Sequence, residues 1–163
     1  MELDIVQYTI DDEVERRLVN ALKNFISKTD ADLVILSDDA GRIISFHGKH
    51  LDETQAEFLA SIISGIFGAA FEMAKMVSKE DLLDAIQYES KKQNVVVKAV
   101  GSRFLVGVLC PKSVALGTVR LFLKELASEL DNIFAKVKSK PSKMVKLSPE
   151  AIEDKLNKIL GMS

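Results

Sequence analysis

The sequence predicts an α+β fold built on a five-stranded antiparallel sheet. Its order is helix, two strands, helix, three strands, helix, with a further helix at the C-terminus. Three observations carry this. Apolar residues recur at helical spacing in three separate segments of the first 135 residues. Between those segments lie short runs rich in Val, Ile and Leu, grouped as two and then three. The runs within each group are joined by only a few turn-forming residues, and tight hairpins join antiparallel neighbours.

The first helix is expected from Asp11 to Lys28, with Val14, Leu18, Ala21, Leu22, Phe25 and Ile26 on one stripe and acids in its first turn. Leu33 to Leu36 and Arg42 to Phe46 read as strands, joined through Asp38-Asp39-Ala40-Gly41. Asp52 to Val77 reads as one long helix that is apolar on several sides. Leu59, Ile62, Ile63, Ile66, Ala70, Met73, Ala74 and Val77 form a stripe expected to face the sheet. Almost opposite lie Ser61, Gly65, Gly68 and Glu72, flanked by Phe67 and Phe71 on one side and Phe58 and Met76 on the other. Two glycines inside a helix cost about 1 kcal/mol each relative to alanine. They are either tolerated on a solvated face or used where another backbone comes close.

Leu82 to Glu89 reads as a weaker strand and a natural sheet edge. Val95 to Val100 and Phe104 to Leu109 are stronger strands, joined through Gly101-Ser102. Lys91-Lys92-Gln93-Asn94 is expected to make the turn before them. Pro111 stops the last strand, and Ser113 is expected to cap a helix running to Ile133 or Phe134, with Val119, Phe122, Leu126, Leu130 and Ile133 inward. Three units follow: a domain over 1–135, a Lys-rich flexible linker over 136–148, and a short amphipathic helix over 149–160. That last helix has Pro149 in its first turn and a stripe of Ile152, Leu156, Ile159 and Leu160. It is too short to be stable alone in water. It docks on a partner, packs on its own domain, or frays.

Composition narrows the function. The net charge is −2, with 47% hydrophobic and 28% charged residues, so the chain as a whole has no nucleic-acid signature. The lysines at 136, 138, 140, 143 and 146 lack interleaved aromatics and fit a solvated linker. Phe58 to Phe71 is shorter than the ~18 residues of a membrane span, and no span is expected. The opening Met-Glu-Leu-Asp lacks a signal core, and the single Cys110 excludes an internal disulfide. Both point to the cytoplasm.

Catalytic chemistry has little support, and no catalytic, metal or cofactor site is expected. His47 and His50 are the only histidines and have no third ligand at matching spacing. Gly65-Ile66-Phe67-Gly68 lies within a helix and lacks the lysine and hydroxyl of a phosphate loop. Cys110 has no base near it in sequence and reads as structural. Asp38 and Asp39 are explained by the turn.

Leu33-Val34-Ile35-Leu36-Ser37-Asp38-Asp39-Ala40-Gly41-Arg42-Ile43-Ile44-Ser45, the small-residue helix from Phe58 to Lys75, Val100-Gly101-Ser102-Arg103, and Leu116-Gly117-Thr118-Val119-Arg120 together resemble the roadblock family. The resemblance covers residues 1 to about 135. Tyr8, the Leu116–Leu121 stretch and the terminal Leu147-Ser148-Pro149-Glu150-Ala151-Ile152-Glu153-Asp154 resemble its bacterial MglB branch, whose partner is the Ras-like GTPase MglA. The departures are bulky Phe71 after the two glycines, and Cys110 with Lys112 at a strand end.

The resemblance implies a roadblock/profilin-like homodimer, three-layered (α/β/α), with a sheet continuous across its two-fold axis. It further implies regulation of a small Ras-like GTPase of the MglA type: activation of GTP hydrolysis, and nucleotide exchange as a further activity. The effect would be conformational, without an arginine finger, in the setting of cell polarity and motility. The alternative is a scaffold or motor-complex subunit with no effect on GTP turnover. The residues expected at the GTPase are Ser61, Ser64, Gly65, Gly68, Glu72 and Lys75, with Ile152, Leu156 and Ile159 of the tail. Self-association is expected through Phe67 and Phe71, and through Leu82, Leu83, Ile86 and Tyr88 at the strand edge. The close-approach side of the long helix could serve the twin instead.

Overall fold

The structure, a computed structural model, describes residues 3–5, 10–78, 83–138, 145–147, 153 and 156–161. Its elements are β1 (Leu3–Ile5), α1 (Asp12–Thr29), β2 (Leu33–Asp38), β3 (Ile43–Gly48), α2 (Glu53–Val77), β4 (Ala85–Glu89), β5 (Gln93–Val100), β6 (Phe104–Pro111), α3 (Leu116–Lys138) and β7 (Val145–Leu147). The main sheet runs β3-β2-β6-β5-β4, antiparallel at every pairing, as expected of an α+β fold with two hairpin groups.

The long crossover through α2 explains the order. β2 and β3 form a hairpin, and β4, β5 and β6 form a meander. The meander inserts beside the hairpin so that β6 pairs with β2. Two edges remain, β3 and β4. The Ser90 hydroxyl closes the β4–β5 turn by donating to the Gln93 carbonyl at 3.0 Å. The loop is therefore Lys91-Lys92, while Gln93 and Asn94, expected in the turn, begin β5.

Alternation along the strands divides the core between the two faces of the sheet. Val34 and Leu36 of β2, Val96 of β5, and Val106 and Val108 of β6 join α1 and α3 in one cluster with Leu18, Leu22, Leu123, Leu130 and Ile133. Leu33 and Ile35, with Val95, Val97 and Leu105, meet α2 on the other face. Lys28, near the end of α1, lies over the ring of Phe122 and pairs with Glu125 of α3.

Capping sets the helix starts. Asp11 accepts from the Val14 amide at 2.9 Å. Asp52 and Gln55 form a capping box, their side chains accepting from each other's amides at 2.8 and 3.2 Å. The start of α3 differs from expectation. Ser113 is not the cap, because the Val114 amide turns back to the Pro111 carbonyl. The Ala115 carbonyl takes the first helical bonds, from Thr118 and Val119.

One element was not legible in the pattern. β1 pairs antiparallel with β7, Leu3 opposite Leu147 and Ile5 opposite Val145. β7 lies within the stretch read as a flexible linker, and three residues of that stretch are thereby tied to the N-terminal segment.

Candidate functional site

The candidate site is the exposed side of α2 together with the open edge at β4. The buried residues of α2 are Ala56, Ala60, Ile63 and Phe67, spaced three or four apart. Phe71 is half-buried and packs against the same inner cluster. The sheet-facing stripe is therefore rotated from the one expected. Small alanines let the helix approach the sheet, and Phe67 fills the space beyond them. Ile62 and Met73, expected inward, are exposed, and Val77 is 87% exposed. Phe67, expected at a twin, is buried against the sheet, and the Lys75 ammonium lies 4.9 Å from the centre of the half-buried Phe71 ring.

The small residues divide into two uses. Ser61 and Ser64 sit against the β2–β3 turn of their own domain. The Ser64 hydroxyl donates to the Asp39 carbonyl at 2.7 Å, and a Cβ at Gly41 would lie 3.1 Å from the Ser61 Cα. A Cβ at Gly65 or Gly68, by contrast, would meet nothing within 4 Å. Beside these open glycines, Glu72 and Lys75 form an exposed pair at 3.4 Å. Of the residues expected to meet a GTPase, Gly65, Gly68, Glu72 and Lys75 thus share one exposed surface. Ser61 lies at its margin and Ser64 is partly spent on the hairpin.

The remaining flank of α2 faces the open edge. Ser61 and Ser64 lie toward the β2–β3 turn, while Ile63 leans over Gly107 of β6, one strand further toward β4. Leu59, Ile66, Ala70 and Val77, on the side away from Ser61 and Ser64, therefore look along the sheet toward β4. Outward from them stand Phe58, 68% exposed, and Met76, 88% exposed. By length and composition α2 is apolar enough to cross a membrane, a length the shorter run read from sequence did not reach. Its inner side is packed on the sheet, and Glu53, Glu57, Glu72 and Lys75 interrupt the rest.

At the edge, Ile86 of β4 packs inward with Leu83, while Tyr88 is exposed. Leu82, expected here, lies outside the described residues, as does Ile152 of the tail. Leu156 to Ile159 are helical, and Leu156, Ile159 and Leu160 are all exposed.

The chemistry elsewhere is sparse. Asp38 organises the hairpin by accepting from the amides of Ala40 and Arg42 and from the Arg42 guanidinium at 2.7 Å. Cys110 is buried and donates to the Asn94 carbonyl at 3.6 Å. Burial, with the Asp32 charge adding to it, raises its pKa, which disfavours the thiolate a nucleophile requires. Among the described residues, no three His, Cys, Asp or Glu side chains converge as metal ligands.

The Roadblock/LC7 domain model matches residues 17–109, more than half of the chain. The chain belongs to the Roadblock/LC7 family. A protein of Aquifex aeolicus (strain VF5), described as uncharacterised, is 34% identical over 161 residues, 99% of each chain. Among solved structures, Myxococcus xanthus MglB superposes with a TM-score of 0.74 at 26% identity, over 82% of this chain and 99% of that one. The gliding protein MglB of Thermus thermophilus gives 0.69 at 20% identity, over 76% and 93%. The resemblance to the roadblock family, nearest its MglB branch, and the five-stranded antiparallel α+β fold are as read from the sequence.

Within this roadblock domain, sequence reasoning missed which side of α2 the sheet would take. The signal was present in Ala56 and Ala60. Their spacing continues through Ile63 and Phe67, and two alanines mark close helix–sheet approach as well as two glycines mark an open face.

Proposed function

We propose that this roadblock protein is a homodimeric regulator of a small Ras-like GTPase of the MglA type, binding it through the exposed side of α2. The observation that carries the proposal is the composition of that side. Gly65 and Gly68 open into free space amid exposed Phe58, Ile62 and Met76, with the Glu72–Lys75 pair at the border. So much apolar surface on one helix calls for cover, and the bare backbone at the glycines admits a second protein's surface closely.

Two partners divide the face. The flank of Leu59, Ile66, Ala70 and Val77, continuous with the β4 edge, suits a second copy whose β4 extends the sheet. The outward side, with Gly65, Gly68, Glu72 and Lys75, suits the GTPase. That side carries no arginine to serve as a finger, and Glu72, the carboxylate beside the glycines, is paired with Lys75. The effect on hydrolysis is therefore conformational: the domain favours an active GTPase state by binding it more tightly than the alternatives. The exposed Leu156 and Ile159 of the tail, with Ile152, offer a second contact. Tethering makes such a contact intramolecular, at effective concentrations of about millimolar. Cytoplasmic placement and a role in polarity or motility follow from this reading.

The test is single-turnover GTP hydrolysis by an MglA-type GTPase with and without the protein. Acceleration supports the regulator, whereas tight binding with unchanged turnover and exchange makes the domain a scaffold. Gly68→Arg is expected to abolish binding while leaving the fold intact, since the position is open; undiminished binding would remove α2 from the interface.

A further inference from the structure

On the sheet face opposite α2, a groove of about 420 Å³ runs between β4 and α3. Ala85 and Val96 line its floor and Leu123 adds an apolar wall; Ile86 borders it, with its side chain packed on the α2 face of the sheet. Three cations rim it. The Lys98 ammonium is held by Asp84 at 2.6 Å, and Arg120 is hydrogen-bonded to Gln87. Lys124 has no ion-pair partner among the described residues. Asp84 is the single carboxylate in the lining. Leu121 stands 58% exposed beside Lys124 on α3. The groove is thus apolar below and basic above, at the side of the sheet that α1 and α3 leave bare.

The same chain carries an unpartnered element of the opposite character. Leu156, Ile159 and Leu160 share one helical stripe and are all exposed. Glu153, a turn earlier, falls at the edge of that stripe, while Lys158 lies away from it. A helix this short does not hold together in water without a surface to lie on. The tail leaves β7, which pairs with β1, and from Leu147 to Leu156 the extended chain reaches roughly 30 Å.

We infer that the groove between β4 and α3 seats the chain's own terminal helix, with Leu156 and Ile159 on its apolar floor and Glu153 against Arg120 and Lys124. The seat is remote from α2, so it sequesters the tail's apolar stripe without covering the face assigned to a GTPase. It is independent of the α2 assignment, while a tail contact with the GTPase requires the helix to leave this seat.

Amide hydrogen exchange on the full chain, with no GTPase present, tests the seat. The amides of 157–160 are expected to exchange at least tenfold more slowly than unstructured chain. The variant Leu156→Asp/Ile159→Asp is expected to lose this protection. Reversing the rim with Arg120→Glu/Lys124→Glu is expected to reduce it severalfold, and adding Glu153→Lys to that variant to restore it. Far-ultraviolet circular dichroism and the thermal midpoint verify that each variant is folded. An unprotected tail in the wild-type chain overturns the inference. So does protection that survives the Leu156→Asp/Ile159→Asp change, or that is indifferent to the rim charges, since the helix would then lie elsewhere or nowhere.

Discussion

The Ser64 hydroxyl of α2 donates to the Asp39 carbonyl in the β2–β3 turn, 2.7 Å away and 25 positions earlier. The turn is thereby fastened to the helix that follows it. Gly41 completes the contact with φ of +85° and a close approach to the Ser61 backbone. Part of the small-residue side of α2 therefore exists for the domain's own hairpin. Only the part beyond it, Gly65 and Gly68, is free for another molecule.

Gly41→Ala is expected to destabilise the domain by about 1–3 kcal/mol. It places a side chain in the left-handed region and 3.1 Å from the Ser61 Cα, where backbone would have to yield. Ser64→Ala, which leaves the Asp39 carbonyl without this donor, is expected to cost about 1 kcal/mol. Urea denaturation monitored by circular dichroism measures both. The glycine variant should be the weaker of the two.

A Cβ at Gly107 would stand inside van der Waals contact of the Ile63 Cδ1. Gly107→Ala is therefore expected to cost about 1–3 kcal/mol by overpacking. Ile63→Val alone should cost about 0.5–1.5 kcal/mol. In the double variant the losses should not add, because removing Cδ1 makes room for the new methyl. Additive losses in the denaturation cycle would mean that the helix, not the side chain, sets the spacing.

These contacts show where the sequence was informative and where it was not. Hydrophobic period, caps and turn residues act locally, so the order of elements along the chain and the helix spans were legible, to within a few residues at the ends. The order of strands within the sheet emerged only from the structure. The side of α2 that meets the sheet was not legible, because both candidate stripes are apolar and periodicity cannot rank them. What decides is fit. Ala56 and Ala60 let the helix close on the strands, Gly107 receives Ile63, and Phe67 fills the remaining gap. The β1–β7 pair was illegible for another reason: strands of three residues carry too little pattern, and their partner is at the far end of the chain. At the candidate site the open glycines were legible. The use of Ser61 and Ser64 by the hairpin was not, since nothing local to α2 announces it.

Cys110 gives the domain an alkaline liability. Burial raises its thiol pKa, with the charge on Asp32 adding to the effect, so the unfolded chain releases this proton at lower pH than the folded one. Its contribution to stability is complete below the ordinary thiol pKa of about 8.5. It is lost as pH rises through the higher native value. Cys110→Ala is expected to cost about 1 kcal/mol near neutrality through the cavity it leaves. Between about pH 7.5 and about pH 10, however, the wild-type urea midpoint should fall further than that of the variant, bringing the two together. Parallel curves would show that the thiol does not titrate differently on unfolding.

The rotation of α2 changes which substitutions should separate the proposed dimer. Val77 and Ile66 lie on the flank facing β4, whereas Phe67 is committed to the sheet at 9% exposure. Ile66→Asp is expected to give a folded monomer, since a carboxylate there would be buried against the twin helix without a counter-charge. Tyr88→Asp, at the exposed edge of β4, should weaken association severalfold by placing two carboxylates near the two-fold axis. Phe67→Ala should instead lower stability by about 3–5 kcal/mol and affect association only through loss of fold. Sedimentation equilibrium alongside thermal denaturation distinguishes the two classes. If Ile66→Asp remains dimeric and Phe67→Ala yields a stable monomer, the flank toward β4 is not the dimer contact, and the twin packs on α2 by the side first read from the sequence.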